Sequence, residues 1–228
     1  MTCRTILQWP NKQLSETSSL CGEVNEEVVS NVRDVVDTLK ASFGVGLAAP
    51  QIGIKKRILA IAPSVAQIEN PYPQEEFPDH FVVIDPELSL DGHDLTWSEA
   101  CLSVPFVSAP VKRKSLAKLT FTNLKGERVS LDLRMPLSGV MQHEYDHLDG
   151  VLFIDRAGRF VKQRLVKKLE KEKRKLKREK ELERRQIILD VQGPAALRKY
   201  LSQNNATKKK SSGRKKTSKK YGKNKKRR

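Results

Sequence analysis

Gln142-His143-Glu144-Tyr145-Asp146-His147-Leu148-Asp149-Gly150 combines a helical spacing with a pair of metal-ligand side chains. Pro136 suits the first turn of a helix running to about Leu148, with Gly150 just past its end. A four-residue step on a helix turns about 400°, so the His143 and His147 imidazoles share one face and can hold one metal ion, with Glu144 beside them. With four histidines and 16 glutamates in 228 residues, His-Glu-x-x-His arises by chance in about one such chain in two hundred.

Two histidines do not complete a catalytic site, which needs three protein ligands and one open position. The metalloprotease pattern His-Glu-x-x-His-x-x-Gly-x-x-His places Gly150 correctly but finds Phe153 at its third histidine. Cys101, in Glu99-Ala100-Cys101-Leu102-Ser103, is a candidate third ligand, because a thiolate is a soft donor and Cys3 and Cys21 lie in an N-terminal stretch. Taken alone, Cys101 also reads as an inert buried thiol. A further element is Gly44-Val45-Gly46-Leu47-Ala48-Ala49-Pro50-Gln51, where small residues permit close backbone approach. A helix cap and a tight turn account for its glycines, though not for Gln51.

Apolar residues from Val24 to Phe43 recur at intervals of three and four and predict an amphipathic helix, stopped by Gly44 and Gly46. Residues 57–62 and 81–84 read as strands. Residues 63–80, with four prolines and four acids, read as a surface loop. Leu116 to Thr122, a turn at residues 123–126, and Arg128 to Leu133 predict a hairpin. From Phe160 to about Arg185, sparse leucines and the i,i+4 pairs Glu170/Arg174 and Glu181/Arg185 predict a helix that leaves the body.

The formal net charge of +17 divides unevenly. Residues 1–161 hold 16 Lys+Arg and 21 Asp+Glu, a net of −5, and residues 162–228 hold 28 and 6, a net of +22. Residues 1–161 therefore read as a mildly acidic catalytic domain, 162–192 as a charged helical extension, and 193–228 as a disordered Lys/Arg-rich tail. From residue 208 onward there are thirteen basic residues and no acid. Three widely spaced cysteines, no membrane-length apolar run and no secretory signal point to a soluble cytoplasmic protein, with an organellar location left open.

Taken together, the three segments resemble the peptide deformylases. The family's G-φ-G-φ-A-A-x-Q matches residues 44–51, its E-G-C-L-S matches residues 99–103 except for Ala100, and its Q-H-E-x-D-H-L-x-G matches residues 142–150. The resemblance covers about residues 3–165. It implies removal of the formyl group from the N-terminal formyl-methionine of nascent chains, giving formate and a free amine. It further implies Cys101, His143 and His147 as ligands of Fe2+, replaceable by Ni2+, Co2+ or Zn2+. Glu144 would move the proton, and the Gln51 amide and the Leu102 backbone N–H would stabilise the oxyanion. The Gly46 backbone would bind the peptide, with Val45, Val140 and His143 as walls of the methionine pocket.

Ala100 and Ser108 depart from the family's usual glycine and arginine, and Gly139 stands where a larger residue is common, which predicts an enlarged pocket. The implied fold is α+β, with antiparallel sheets around the metal-binding helix and Cys101 supplied from a strand or its end. For the basic tail the favoured partner is the ribosome and its RNA, since the implied substrate emerges there. A solvated, inert tail and an acidic membrane surface compete with it, the latter weakened by the lack of a continuous apolar face. Two other functions compete: an HExxH zinc peptidase that needs no Cys101, and a basic RNA-binding protein with an inactive deformylase body.

Overall fold

The computed structural model describes residues 3–63 and 69–223, with side chains described as far as residue 202. Two compact units divide the chain at Glu170 and Lys171.

In the first unit, helix α1 (Glu26–Lys40) starts where the Asn25 side chain accepts the Val28 amide, and Glu26 and Glu27 sit in its positive first turn. Its stripe of Val28, Val32, Val35, Val36 and Leu39 is buried, as the spacing predicts. Strands β1 (Gly46–Ala48), β2 (Ile58–Ile61), β3 (Phe81–Cys101), β4 (Val104–Thr122) and β5 (Arg128–Arg134) form one antiparallel sheet in chain order. Strands β3 and β4 run together almost end to end, with register shifts near Ile84, Asp91 and Cys101. Such shifts bend paired strands.

Helix α2 (Leu137–Leu148) packs against all five strands, the antiparallel arrangement around a central helix that the sequence implies. Burial on most of its circumference explains why Ser138, Gln142, Glu144, Asp146 and His147 are all inside. Gln142 is tied to the sheet, accepting the Lys114 amide and donating to the Lys114 carbonyl.

Two local expectations change. The described part of residues 63–80 is partly inside: Phe77 is buried, and the buried Gln74 donates to the Val82 carbonyl and accepts the Leu124 amide. Residues 64–68 of that loop lie outside the described residues. The strand begun at Phe81 continues far past Ile84, a continuation the sequence does not announce because residues 89–96 are exposed on both faces and carry no apolar alternation.

Helix α3 (Phe153–Arg156) leads into α4 (Arg159–Lys223), and Val161, Leu165 and the buried Leu169 pack against the cluster around Phe153 and Ile154. Within the second unit the helix breaks at Gly193 (φ 77°), followed by Pro194, at the boundary where the composition changes. The Tyr200 hydroxyl donates to Glu181 Oε2 at 3.0 Å, and the Arg184 guanidinium lies 5.3 Å from the Tyr200 ring centroid. In a straight helix residues nineteen apart would be about 28 Å apart, so the chain doubles back at Gly193-Pro194. Helical backbone then runs to Lys223, where composition predicts disorder; lysine has a high intrinsic helix propensity. Residues 224–228 lie outside the described residues. Among the described residues no helix is long and apolar enough to cross a membrane.

Candidate metal centre and its cavity

Three chain segments meet at one point. Helix α2 presents His143 and His147 one turn apart, and Cys101 ends β3 at the tight connection where it pairs with Val104. Ligand atoms of Cys101, His143 and His147 all lie within 4.8 Å of one another, with Cys101 Sγ 3.2 Å from His147 Nε2. One thiolate and two imidazoles suit a borderline divalent transition metal and leave a fourth position open.

The surrounding charges favour a cation there. His143 Nδ1 lies 2.7 Å from Glu99 Oε2, which fixes the ring and turns its other nitrogen toward Cys101. Burial opposes charge on His143, yet its contacts with Cys101 and Glu99 and the Glu144 charge outweigh burial and hold it well above the ordinary histidine value. The same negative field would favour a metal ion. Burial, reinforced by the His143 and Arg113 charges, pushes His147 well below the ordinary value, so it is a neutral imidazole ready to ligate.

Glu99 and Asp146 belong to a buried network centred on Arg113, the residue that sequence reasoning missed. Arg113 donates to Glu99 from Nε (2.7 Å) and Nη2 (3.0 Å), and to Asp146 from Nη1 (2.7 Å). Arg156 also holds Asp146, at 2.6 and 3.1 Å. Burial alone would raise Glu99, but hydrogen bonds from His143 and Arg113 outweigh it and hold the carboxyl at about 2. The available signal was a charged residue at an inward position of β4, between Val111 and Ala117, where the alternation calls for an apolar one.

Glu144 faces the same space. Burial pushes its carboxyl up to about 7, and among the described residues its buried Oε2 has no hydrogen-bond partner. Such an orphan calls for a ligand, water or ion beside it. Gly46 makes room for it: a Cβ there would lie 2.5 Å from Glu144 Oε1.

Gln51 comes from a short 3₁₀ helix (Ala49–Ile52) with Pro50 near its start. Its Oε1 accepts the Ala48 amide (2.8 Å), which turns Nε2 toward Ser103 Oγ (3.2 Å) and Cys101 Sγ (3.5 Å). A carboxamide locked this way presents a donor beside the three ligand atoms. The cavity in front of them holds about 830 Å³, and Val45, Gly46, Leu102 and Val140 line it together with Gln51, Cys101, His143 and Glu144. All the sequence-predicted site residues are therefore brought together.

The departures also find their places. Ala100 and Ser108 are direct cross-strand partners on β3 and β4, so the two exchanges occupy one spot. Gly139 does not enlarge the cavity as expected, because the Trp97 indole fills the space beside it.

A family described as Polypeptide deformylase matches residues 3–163. A peptide deformylase of Buchnera aphidicola is 32% identical over 178 residues, covering 78% of this chain and 97% of that protein. One from Phenylobacterium zucineum is 36% identical over 172 residues, covering 75% and 97%. The crystal structure of a peptide deformylase from Legionella pneumophila superposes with a TM-score of 0.68 at 28% identity, covering 78% of this chain and 99% of that one. That match extends over the body whose centre carries the Cys101, His143 and His147 cluster, and the chain belongs to the peptide deformylase family.

Proposed function

We propose that the chain removes the formyl group from the N-terminal formyl-methionine of nascent peptides, releasing formate, with Cys101, His143 and His147 holding one ferrous ion that nickel, cobalt or zinc can replace. The observation that carries this reading is the convergence of three ligand atoms, a partnerless buried carboxylate and a locked carboxamide at the base of one apolar cavity. A cation at the cluster would act as a Lewis acid toward the formyl carbonyl and toward water.

The chain's own residues do the rest. Glu144, raised by burial to about 7, accepts a proton from the attacking water and returns it to the departing amine. The C–O bond to the formyl carbon forms, the C–N bond breaks, and formate and a free amino terminus result. Gln51 Nε2 and the Leu102 backbone N–H stabilise the negative charge that develops on the carbonyl oxygen, a role worth about 3 kcal/mol per donor in hydrolases. The Gly46 backbone aligns the peptide, and Val45, Val140 and the His143 ring form walls of the methionine pocket. An HExxH peptidase has no use for Cys101, which lies here against His147.

The reaction's place is on nascent chains as they leave the ribosome, in the cytoplasm or in an organelle that makes its own proteins. Residues 162–228, net +22, recruit the enzyme to ribosomal RNA by neutralising phosphates, apart from catalysis. The metal assignment is tested by nickel content: Cys101→Ala should lose stoichiometric binding as His143→Ala does. Full occupancy with retained deformylation in Cys101→Ala would refute the site.

A further inference from the structure

Trp97 lies on β3 four residues before Cys101, and Gly139 lies in the first turn of α2, four residues before His143. Trp97 Nε1 donates to Glu99 Oε1 at 2.9 Å, so one end of the indole is tied to the buried carboxylate that also holds His143. Its six-membered ring lies on the Gly139 backbone. A Cβ at 139 would fall 2.4, 2.8 and 2.9 Å from Cζ2, Cη2 and Cε2, closer than a real Cβ approaches any atom.

An indole in this position and a side chain at 139 are therefore mutually exclusive. Gly139 is helical, so its backbone does not require glycine. Glycine is the poorest helix former after proline, and the space for the ring is what this position gains in exchange. The ring lines the cavity together with Pro136, Val140, His143 and Glu144. Held at its nitrogen by Glu99 and seated on α2, it forms a fixed apolar wall.

We infer that the Trp97–Gly139 pair determines which N-terminal side chain the enzyme accepts, with the Trp97 ring setting the size of the pocket that takes it. The inference rests on the deformylase reading and deepens it. In an apolar pocket a difference of one methylene shifts discrimination by about 10–200-fold, so removing an indole shifts the preference toward bulkier side chains by about tenfold or more.

The test measures kcat/KM for formate release from formyl-Met-Ala-Ser and formyl-Phe-Ala-Ser by the nickel-loaded full chain. The Phe:Met ratio should rise about tenfold in Trp97→Ala and less in Trp97→Phe, which keeps a ring without the N–H. Because the ratio is read within one preparation, any loss of nickel through Glu99 cancels. An unchanged ratio in Trp97→Ala, with formate still released, overturns the inference alone. No formate from the wild type with either peptide overturns the deformylase reading and this inference with it. A thermal cycle checks the packing independently of turnover. Gly139→Ala should lower Tm in the wild type, where the ring is in the way, and raise it in Trp97→Ala, where alanine only favours the helix. Shifts of the same sign in both backgrounds would contradict the exclusion.

Discussion

Replacing Arg113 by Met should damage both the fold and the metal centre. Arg113 is 5% exposed and satisfies two buried carboxylates, Glu99 through two hydrogen bonds and Asp146 through one. Removing one partner of a buried ion pair costs about 3–5 kcal/mol, because the remaining charge stays buried without compensation. Two features place this case at the low end, about 3 kcal/mol. Asp146 keeps Arg156, and Glu99 keeps His143 and the Trp97 indole. At about 2–4 °C per kcal/mol for a body of this size, Tm should fall by about 6–12 °C. With Glu99 less firmly held, His143 loses orientation, and metal affinity should fall about 10–100-fold.

The pH dependence has a definite sign. Glu99 is held at about 2, below the ordinary 4.5, so its contribution is fully present above about pH 4.5 and is lost as pH falls through about 2. The gap between wild type and Arg113→Met should be widest near neutral pH and close on acidification. Urea unfolding of the nickel-loaded proteins, paired with chelator competition, measures both effects. A stability change under about 1 kcal/mol with unchanged metal affinity would refute the claim that this network supports the site.

Other outcomes follow from the same geometry. Glu144→Gln keeps the shape but cannot accept the proton, so nickel content should be retained while kcat falls by about two to four orders of magnitude; near-normal turnover would remove Glu144 from its role. Cys21 is pushed up to about 12, first by burial and then by the Asp85 charge, so at pH 8 it should alkylate far more slowly than the exposed Cys3. Asp85→Asn should quicken it, and peptide mass mapping reads both; equal rates for Cys3 and Cys21 would contradict the assignment. Deleting residues 208–228 removes thirteen positive charges and should leave formyl-Met-Ala turnover unchanged. Ribosome co-sedimentation should weaken, with a shallower salt dependence; identical co-sedimentation across a salt series would leave the tail without an RNA role.

The sequence was most legible where chemistry and periodicity coincide. His143 and His147 must share a helix face to ligate one ion, and that same spacing identifies α2. The α1 stripe and the β4–β5 hairpin were visible because one face of each is buried. The long β3–β4 hairpin was hidden because residues 89–96 in the middle of its β3 arm are exposed on both faces and its β4 arm turns Arg113 and Ser115 inward. Gly139 misled in an instructive way: a small residue implies space only when no distant side chain fills it, and Trp97 comes from another strand. The reversal at Gly193 rests on Tyr200 meeting Glu181, a contact that no local pattern announces.

Formate release separates a deformylase from a peptidase in a single assay. The nickel-loaded full chain, given formyl-Met-Ala and, separately, an unblocked peptide of the same sequence extended by several residues, should release formate stoichiometrically with free amine from the first and leave the second intact. Cys101→Ala under the same conditions should release no formate and should also leave the unblocked peptide intact. Cleavage of internal peptide bonds in the unblocked peptide, or formate release that survives the loss of Cys101, would contradict the account.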